Sequence, residues 1–279
     1  MTLPRIGVFD SGVGGLTVLK AMAEQFPAHY LYFGDTARLP YGTKSADTVA
    51  RYAIGATRFL EAQHIDLLVI ACNTATALAL PQIKQAAAVE VVGVVEPGAA
   101  MAAEMSQSRS VIVIATEATV SSHAYRDALR QYGLDAYEKA CPLFVPLVEE
   151  GWIDHPVTEQ VARIYLGEAM AQSSGTADVL VLACTHYPLI APLLRRITPD
   201  RVKIVDSAES TARVVRGLLS SQSTRIEAQD LRASISTDAA SDHRSFRFFV
   251  TDSVDKFKRL ATRFLGRQVD HVEHVDLGG

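Results

Sequence analysis

Two phrases of this chain, Leu67-Leu-Val-Ile-Ala-Cys-Asn-Thr and Val179-Leu-Val-Leu-Ala-Cys-Thr-His, nearly copy each other, and each delivers a cysteine at the end of an apolar run. A lone cysteine in that position is usually a small buried hydrophobe. Cys72 and Cys184 recur in matched context, followed by hydrogen-bonding residues, where a helix N-terminus would stabilise a thiolate. Cys141, in Lys139-Ala-Cys-Pro-Leu-Phe, lacks that context and reads as a bystander. Cysteine nucleophiles work with one thiol and a histidine base. Two symmetric thiols suit a different chemistry, in which one removes a proton from a carbon held between them and the other protonates the opposite face. An unperturbed thiol titrates near pH ~8.5, so modest tuning is expected to bring it to the working pH. The neighbours expected to do so are Asp10 for Cys72 and His186 for Cys184. A third element, Asp10-Ser11-Gly12-Val13-Gly14-Gly15, follows an apolar run and precedes a helical pattern. It matches neither the dinucleotide fingerprint nor the P-loop, but its glycines allow close backbone approach and its amides would favour an anion.

The elements that must position these groups alternate. Residues 6–9, 30–33, 67–71, 89–95, 111–115, 179–183 and 202–205 read as buried strands. Residues 16–24, 46–63, 76–87, 123–132, 158–170 and 189–197 read as helices. Continuous apolar strands between helices imply an α/β fold with parallel sheets covered on both faces. The paired phrases lie at a similar distance after two openings, Gly7-Val-Phe-Asp-Ser-Gly and Val111-Ile-Val-Ile-Ala-Thr, so the chain reads as two pseudo-symmetric halves divided near Pro97 and Gly98. The stretch 220–245 is polar and reads as a surface excursion. An apolar run at 246–250 follows, then a helix capped by Thr251, Asp252 or Ser253 and stopped by Gly266.

Composition narrows the class. The chain has 279 residues, 48% of them hydrophobic and 21% charged, and a net charge of −4, which describes an ordinary globular protein with no basic excess for nucleic acid. No apolar run reaches the ~20 residues of a membrane span. The N-terminus lacks a basic segment ahead of a long apolar one, so no signal peptide is expected. Three scattered cysteines, none in a CxxC pair, build neither a disulfide framework nor a zinc site, so the cytoplasm is the expected compartment and no metal is expected.

Four ordered segments, Gly7-Val-Phe-Asp-Ser-Gly-Val-Gly-Gly-Leu, Asp35 through Pro40-Tyr41-Gly42, Ala71-Cys-Asn-Thr-Ala-Thr and Ala183-Cys-Thr-His-Tyr-Pro, resemble the glutamate racemases. The resemblance spans almost the whole chain and includes the late Phe249-Val-Thr-Asp and the segment from Phe257 to Gly266. It implies two α/β domains, 1–97 with 208–279 and 98–207, with the active site between them. It further implies that Cys72 and Cys184 are the acid/base pair and that no cofactor is needed. Asp10, Ser11, Tyr41, Gly42, Asn73, Thr74, Thr185 and His186 would hold the amino and carboxylate groups of glutamate, with Asp10 and His186 also assisting catalysis. An assisting acid is expected in Val145-Pro-Leu-Val-Glu-Glu-Gly, with Glu149 the better match and adjacent Glu150 the alternative. Supply of D-glutamate for peptidoglycan follows from the same resemblance, with a homodimer as a candidate assembly. Some relatives of that kind carry an N-terminal extension linked to activation by a peptidoglycan precursor. With few residues ahead of its first strand, this chain is expected to lack that regulation.

Three other readings compete. An aspartate or related racemase would share paired cysteines, although Thr-His-Tyr-Pro after the second one resembles the glutamate enzymes. A pyridoxal-phosphate racemase would need a Schiff-base lysine, and Lys44 alone lies near a motif. A binding module holding an anion on residues 12–15 would leave the matched cysteines without a purpose.

Overall fold

The structure, a computed structural model, describes residues 3–230 and 245–278, and the backbone alone for 222–230. The first part of the chain runs β1 (Arg5–Asp10), α1 (Leu16–Gln25), β2 (His29–Gly34), α2 (Ala46–Glu61), β3 (Leu67–Ile70), α3 (Asn73–Ala86) and β4 (Glu90–Gly93). Then come α4 (Val95–Met105), β5 (Ser110–Ala115), α5 (Glu117–Ser122), α6 (Ala124–Gln131), β6 (Asp135–Ala140) and α7 (Phe144–Glu150). The next elements are α8 (Pro156–Gln172), β7 (Val179–Ala183), α9 (Ala191–Ile197), β8 (Lys203–Asp206) and α10 (Ser207–Asp230). The chain closes with β9 (Ser245–Val250), α11 (Val254–Leu265) and β10 (Glu273–His274).

Among the described residues all strands pair in parallel, in two sheets. The larger has the order β10-β9-β2-β1-β3-β4, and the smaller has β6-β5-β7-β8. Without the late strands β9 and β10, the larger sheet reads 2-1-3-4, and the smaller repeats that order. The repeat legible in the paired cysteine phrases is therefore a repeat of topology. In both sheets the order reverses between the first strand and the third, β1/β3 and β5/β7. Open parallel sheets bind ligands outside such switch points, at the carboxyl ends of their strands.

Local sequence accounts for most elements. β1, β3, β5 and β7 are buried almost throughout because helices cover both faces of their sheets. α2 starts at Ser45, whose hydroxyl accepts the Thr48 N–H, and buries Val49, Ala53, Ala56 and Leu60 along one stripe. α11 turns Phe257, Leu260, Ala261 and Phe264 inward and ends at Gly266. One apolar cluster joins both sheets, with Leu16 and Leu19 of α1 and Phe264 of α11 in the same core as Tyr187 and Leu193. Among the described residues no helix is long and apolar enough to cross a membrane.

The structure corrects several expectations. The helix read over 123–132 is α6, but a further helix that the periodicity did not show, α5, precedes it, and the two are divided at His123 in the left-handed region (φ 57°). Of the polar stretch 220–245, α10 takes up the residues to Asp230, and 231–244 lie outside the described residues. α4, which contains Pro97 and Gly98, is a helix the periodicity did not show. β6 also escaped notice. It is an edge strand with half-exposed positions, so Asp135-Ala-Tyr-Glu-Lys-Ala carries no apolar run. Ser253 occupies the N-cap position of α11 without a side-chain capping bond.

Candidate active site

Cys72 is the N-cap residue of α3, which begins at Asn73, three positions earlier than the helix start read from periodicity, and its Sγ accepts the Ala75 N–H at 3.4 Å. Its thiol also reaches the Ser11 hydroxyl at 3.5 Å. Cys184 stands at the same point after β7, but a short 3-10 turn, Tyr187–Ile190, follows it, and α9 begins only at Ala191. Both cysteines line one cavity of about 300 Å³. Its wall comes from the carboxyl ends of both sheets: Ser11–Val13 after β1, Leu39–Thr43 after β2, Cys72–Thr74 after β3, Thr116 and Glu117 after β5, Pro142, Val145, Pro146 and Glu149 after β6, and Cys184–His186 after β7.

The halves meet closely at this wall. Thr17 Oγ1 donates to the Thr185 carbonyl at 3.0 Å. A Cβ on Gly14 would lie 2.2 Å from Thr185 Oγ1 and 2.5 Å from His186 Nδ1, so only glycine lets the loop after β1 lie against the segment after Cys184.

Burial governs both thiols. It pushes Cys72 up to about 11, with Asp10 adding to the rise and hydrogen bonds from Ser11 and the Ala75 amide opposing it. Cys184 is pushed well above the ordinary thiol range by burial, with the His186 amide opposing and the charges of Cys72 and Asp10 adding. The expected tuning of both thiols toward neutral pH is therefore not present in the structure. The backbone amides favour the thiolate, as expected, but desolvation outweighs them. Nor does each thiol have its own partner. Asp10 bears on both, and the His186 imidazole turns elsewhere.

That imidazole bonds Glu149, Nε2 to Oε1 at 3.2 Å, and it makes a T-shaped contact with the Phe264 ring, 5.2 Å between centroids. The second Glu149 oxygen accepts from Lys256 Nζ at 3.3 Å. The His186 bond, aided by Lys256, holds the Glu149 carboxyl below its usual range against the opposing effect of burial. His186 Nδ1 is buried without a hydrogen-bond partner. Glu150 is exposed and takes no part in the wall.

The remaining expected residues fall into three groups. Ser11, Gly42 and Thr185 line the cavity. Tyr41, Asn73 and Thr74 also line it, but their side chains already bond within the protein. Tyr41 donates to Asp35 Oδ2 at 2.6 Å. Asn73 donates to Ser207 Oγ at 3.2 Å and accepts from Tyr125 at 2.7 Å, and Thr74 Oγ1 lies 2.9 Å from Thr116 Oγ1. Asp10 sits just behind the wall. Its Oδ2 accepts the Gly12 N–H at 2.8 Å while Oδ1 is buried and unpartnered, and burial raises its pKa. Lys44 is not part of the wall.

Sequence reasoning missed Thr116, Glu117 and, after β6, Pro142, Val145 and Pro146. Thr116 had a signal, because it follows β5 as Ser11 follows β1, at the matching opening of the second half. Pro142, Val145 and Pro146 follow an edge strand that left no pattern.

A model of the Asp/Glu/Hydantoin racemase family matches residues 6–215. The chain is 61% identical to a glutamate racemase of Koribacter versatilis, over 99% of this chain and 98% of that protein. A glutamate racemase of Francisella tularensis, solved in complex with D-glutamate, superposes with a TM-score of 0.85 over 99% of both chains at 32% identity. One from Thermus thermophilus, in complex with β-chloro-D-alanine, gives 0.83 at 41% identity, covering 98% of this chain and 97% of that one. With a model match over most of its length and a relative this similar end to end, the chain belongs to the Asp/Glu/Hydantoin racemase family.

Proposed function

We propose that this protein interconverts L-glutamate and D-glutamate by proton transfer between Cys72 and Cys184, without a cofactor. The observation that carries the reading is that two thiols, each following the equivalent strand of one of two like sheets, line a single cavity. The substrate name carried by relatives as similar as 61% supports glutamate. In one direction the Cys184 thiolate takes the α-proton of L-glutamate, leaving a carbanion stabilised by the adjacent carboxylate. The Cys72 thiol then gives its proton to the opposite face, so D-glutamate leaves and the proton positions on the enzyme have exchanged. The reverse reaction starts from the Cys72 thiolate. Because burial favours neutral thiols, the positive charge of the substrate ammonium has to help generate the thiolate. Asp10, with a free buried oxygen, supplies a counter-charge to that ammonium. Ser11, Tyr41, Gly42, Asn73, Thr74, Thr185 and His186 hold the carboxylates, with the backbone amides at Asn73 and Thr74 contributing the α3 N-terminus. Glu149 keeps His186 oriented. Residues 1–97 with 208–279 and residues 98–207 act as the two domains that close on the substrate, in the cytoplasm, and the product feeds peptidoglycan synthesis.

Purified protein incubated with L-glutamate alone should lose its circular dichroism signal to the racemate. In deuterated water each early product molecule should carry deuterium at Cα while recovered substrate carries little. No loss of optical signal would reject the activity, and rapid labelling of substrate ahead of product would replace the two thiols with a single base.

A further inference from the structure

Helix α11 leaves the larger sheet between β9 and β10, yet three of its side chains converge on a residue pair of the other half. Phe264 meets the His186 ring edge-on, Lys256 bonds the Glu149 carboxylate, and Arg263 addresses the backbone beneath them. Arg263 Nη1 donates to the carbonyl of Glu149 at 2.6 Å and to that of Val148 at 3.1 Å. Both carbonyls belong to the last turn of α7, where that of Val148 also accepts the Gly151 N–H at 3.0 Å, and a guanidinium at a helix C-terminus is favoured both by hydrogen bonding and by the helix dipole. Gly151 makes the approach possible. It takes the left-handed conformation that ends α7 (φ 86°), and a Cβ on it would lie 2.6 Å from Arg263 Nη2.

We infer that Arg263 is a positioning residue: it clamps the last turn of α7 so that Glu149 stays against His186 in the wall of the cavity. This rests on the proposed racemase reading for its effect on turnover, but not for its effect on the imidazole. Lys256 alone cannot supply the clamp, because its ammonium meets only the carboxylate and is half exposed, whereas Arg263 fixes the backbone that carries it. The guanidinium also borders an open cleft of about 440 Å³, so the space left by its removal is reachable from solvent.

The test is a double-mutant cycle of Arg263→Ala and Glu149→Gln. Each single change should lower kcat/KM by roughly ten- to a hundredfold, the range expected when a charge-assisted hydrogen bond is lost. The double variant should be no worse than Glu149→Gln, because Arg263 acts only through Glu149. Added guanidinium should restore part of the activity of Arg263→Ala, and Arg263→Lys should retain part of it. A purely structural role would instead give multiplied losses and no rescue, and either result overturns the assignment. The second readout is the 15N resonance of His186 Nε2. It should move in Arg263→Ala toward its position in Glu149→Gln, and if Arg263→Ala folds poorly, Arg263→Lys should show a smaller shift in the same direction. An unmoved resonance rejects the clamp even in a protein that failed to racemise glutamate, while a moved resonance without glutamate turnover keeps the clamp and rejects the substrate.

Discussion

Adjacent glutamates at 149 and 150 have identical chemistry, and the spacing of the chain does not separate them; their surroundings do. Glu149 shares its carboxylate between His186 and Lys256 at the cavity, whereas Glu150 faces solvent. The cysteines divide in the same way. Cys141 is buried like the other two, and burial pushes its thiol up to about 12, but it is absent from the cavity wall and its Sγ faces the Lys139 carbonyl. Cys72→Ala and Cys184→Ala should therefore each lower kcat/KM at least ~10³-fold in both directions, since positioned acid/base groups contribute on that scale and each direction needs both thiols. Cys141→Ala should stay within about threefold of wild type, a volume change at a buried site away from the chemistry. Steady-state kinetics from each enantiomer check this. Near-normal turnover by either of the first two variants would sink the two-thiol scheme.

At the scale of elements, the site depends on how closely the loop after β1 lies against the segment after β7. Gly14 is the contact point, and the obstacle to a side chain there is Thr185 Oγ1 and the His186 ring, both in the opposing wall. Gly14→Ala should force those residues away, costing about 1–3 kcal/mol as an overpacked site. It should also lower kcat/KM more than the stability loss alone accounts for. Urea melts and kinetics on the same preparation separate the two effects. Stability lost with activity intact would show that the wall at residues 185–186 has room to move.

For the molecule as a whole, three thiols buried in their neutral form tie stability to alkaline pH. Below the ordinary thiol pKa, near ~8.5, the folded and unfolded chains both keep these protons and the thiols impose no slope. Above it the unfolded chain releases them, while Cys72 in the folded state holds its proton to about 11 and Cys184 is raised further. The unfolded state then binds fewer protons than the folded one, so stability falls as pH rises from about 8.5 toward 11. Cys72 alone contributes up to ~3 kcal/mol to that fall, at about 1.4 kcal/mol per pH unit. Denaturant midpoints measured from pH 8 to 10 should decline in the wild type and decline less in Cys72→Ala. Parallel declines in the two proteins would mean that the thiol does not carry the proton linkage.

The alternation of buried strands and helices was legible because strands inside a parallel sheet read as continuous apolar runs, which β3 and β7 do throughout and β1 and β5 do between their ends. The paired cysteines were legible because a repeated strand–turn phrase preserves order along the chain. β6, α4 and the helical continuation of α10 were not, since an edge strand and helices without a regular apolar stripe leave weak periodicity. The α/β class, the two like halves and the residue types available for proton transfer all follow from local pattern, and local pattern is written directly in the order of residues. Four features instead arise from the packed fold: which glutamate meets His186, the reach of Asp10 to both thiols, the neutral state of those thiols, and the crossing of α11 to α7. Each of these depends on distance and desolvation between residues far apart in the chain, which no local pattern encodes.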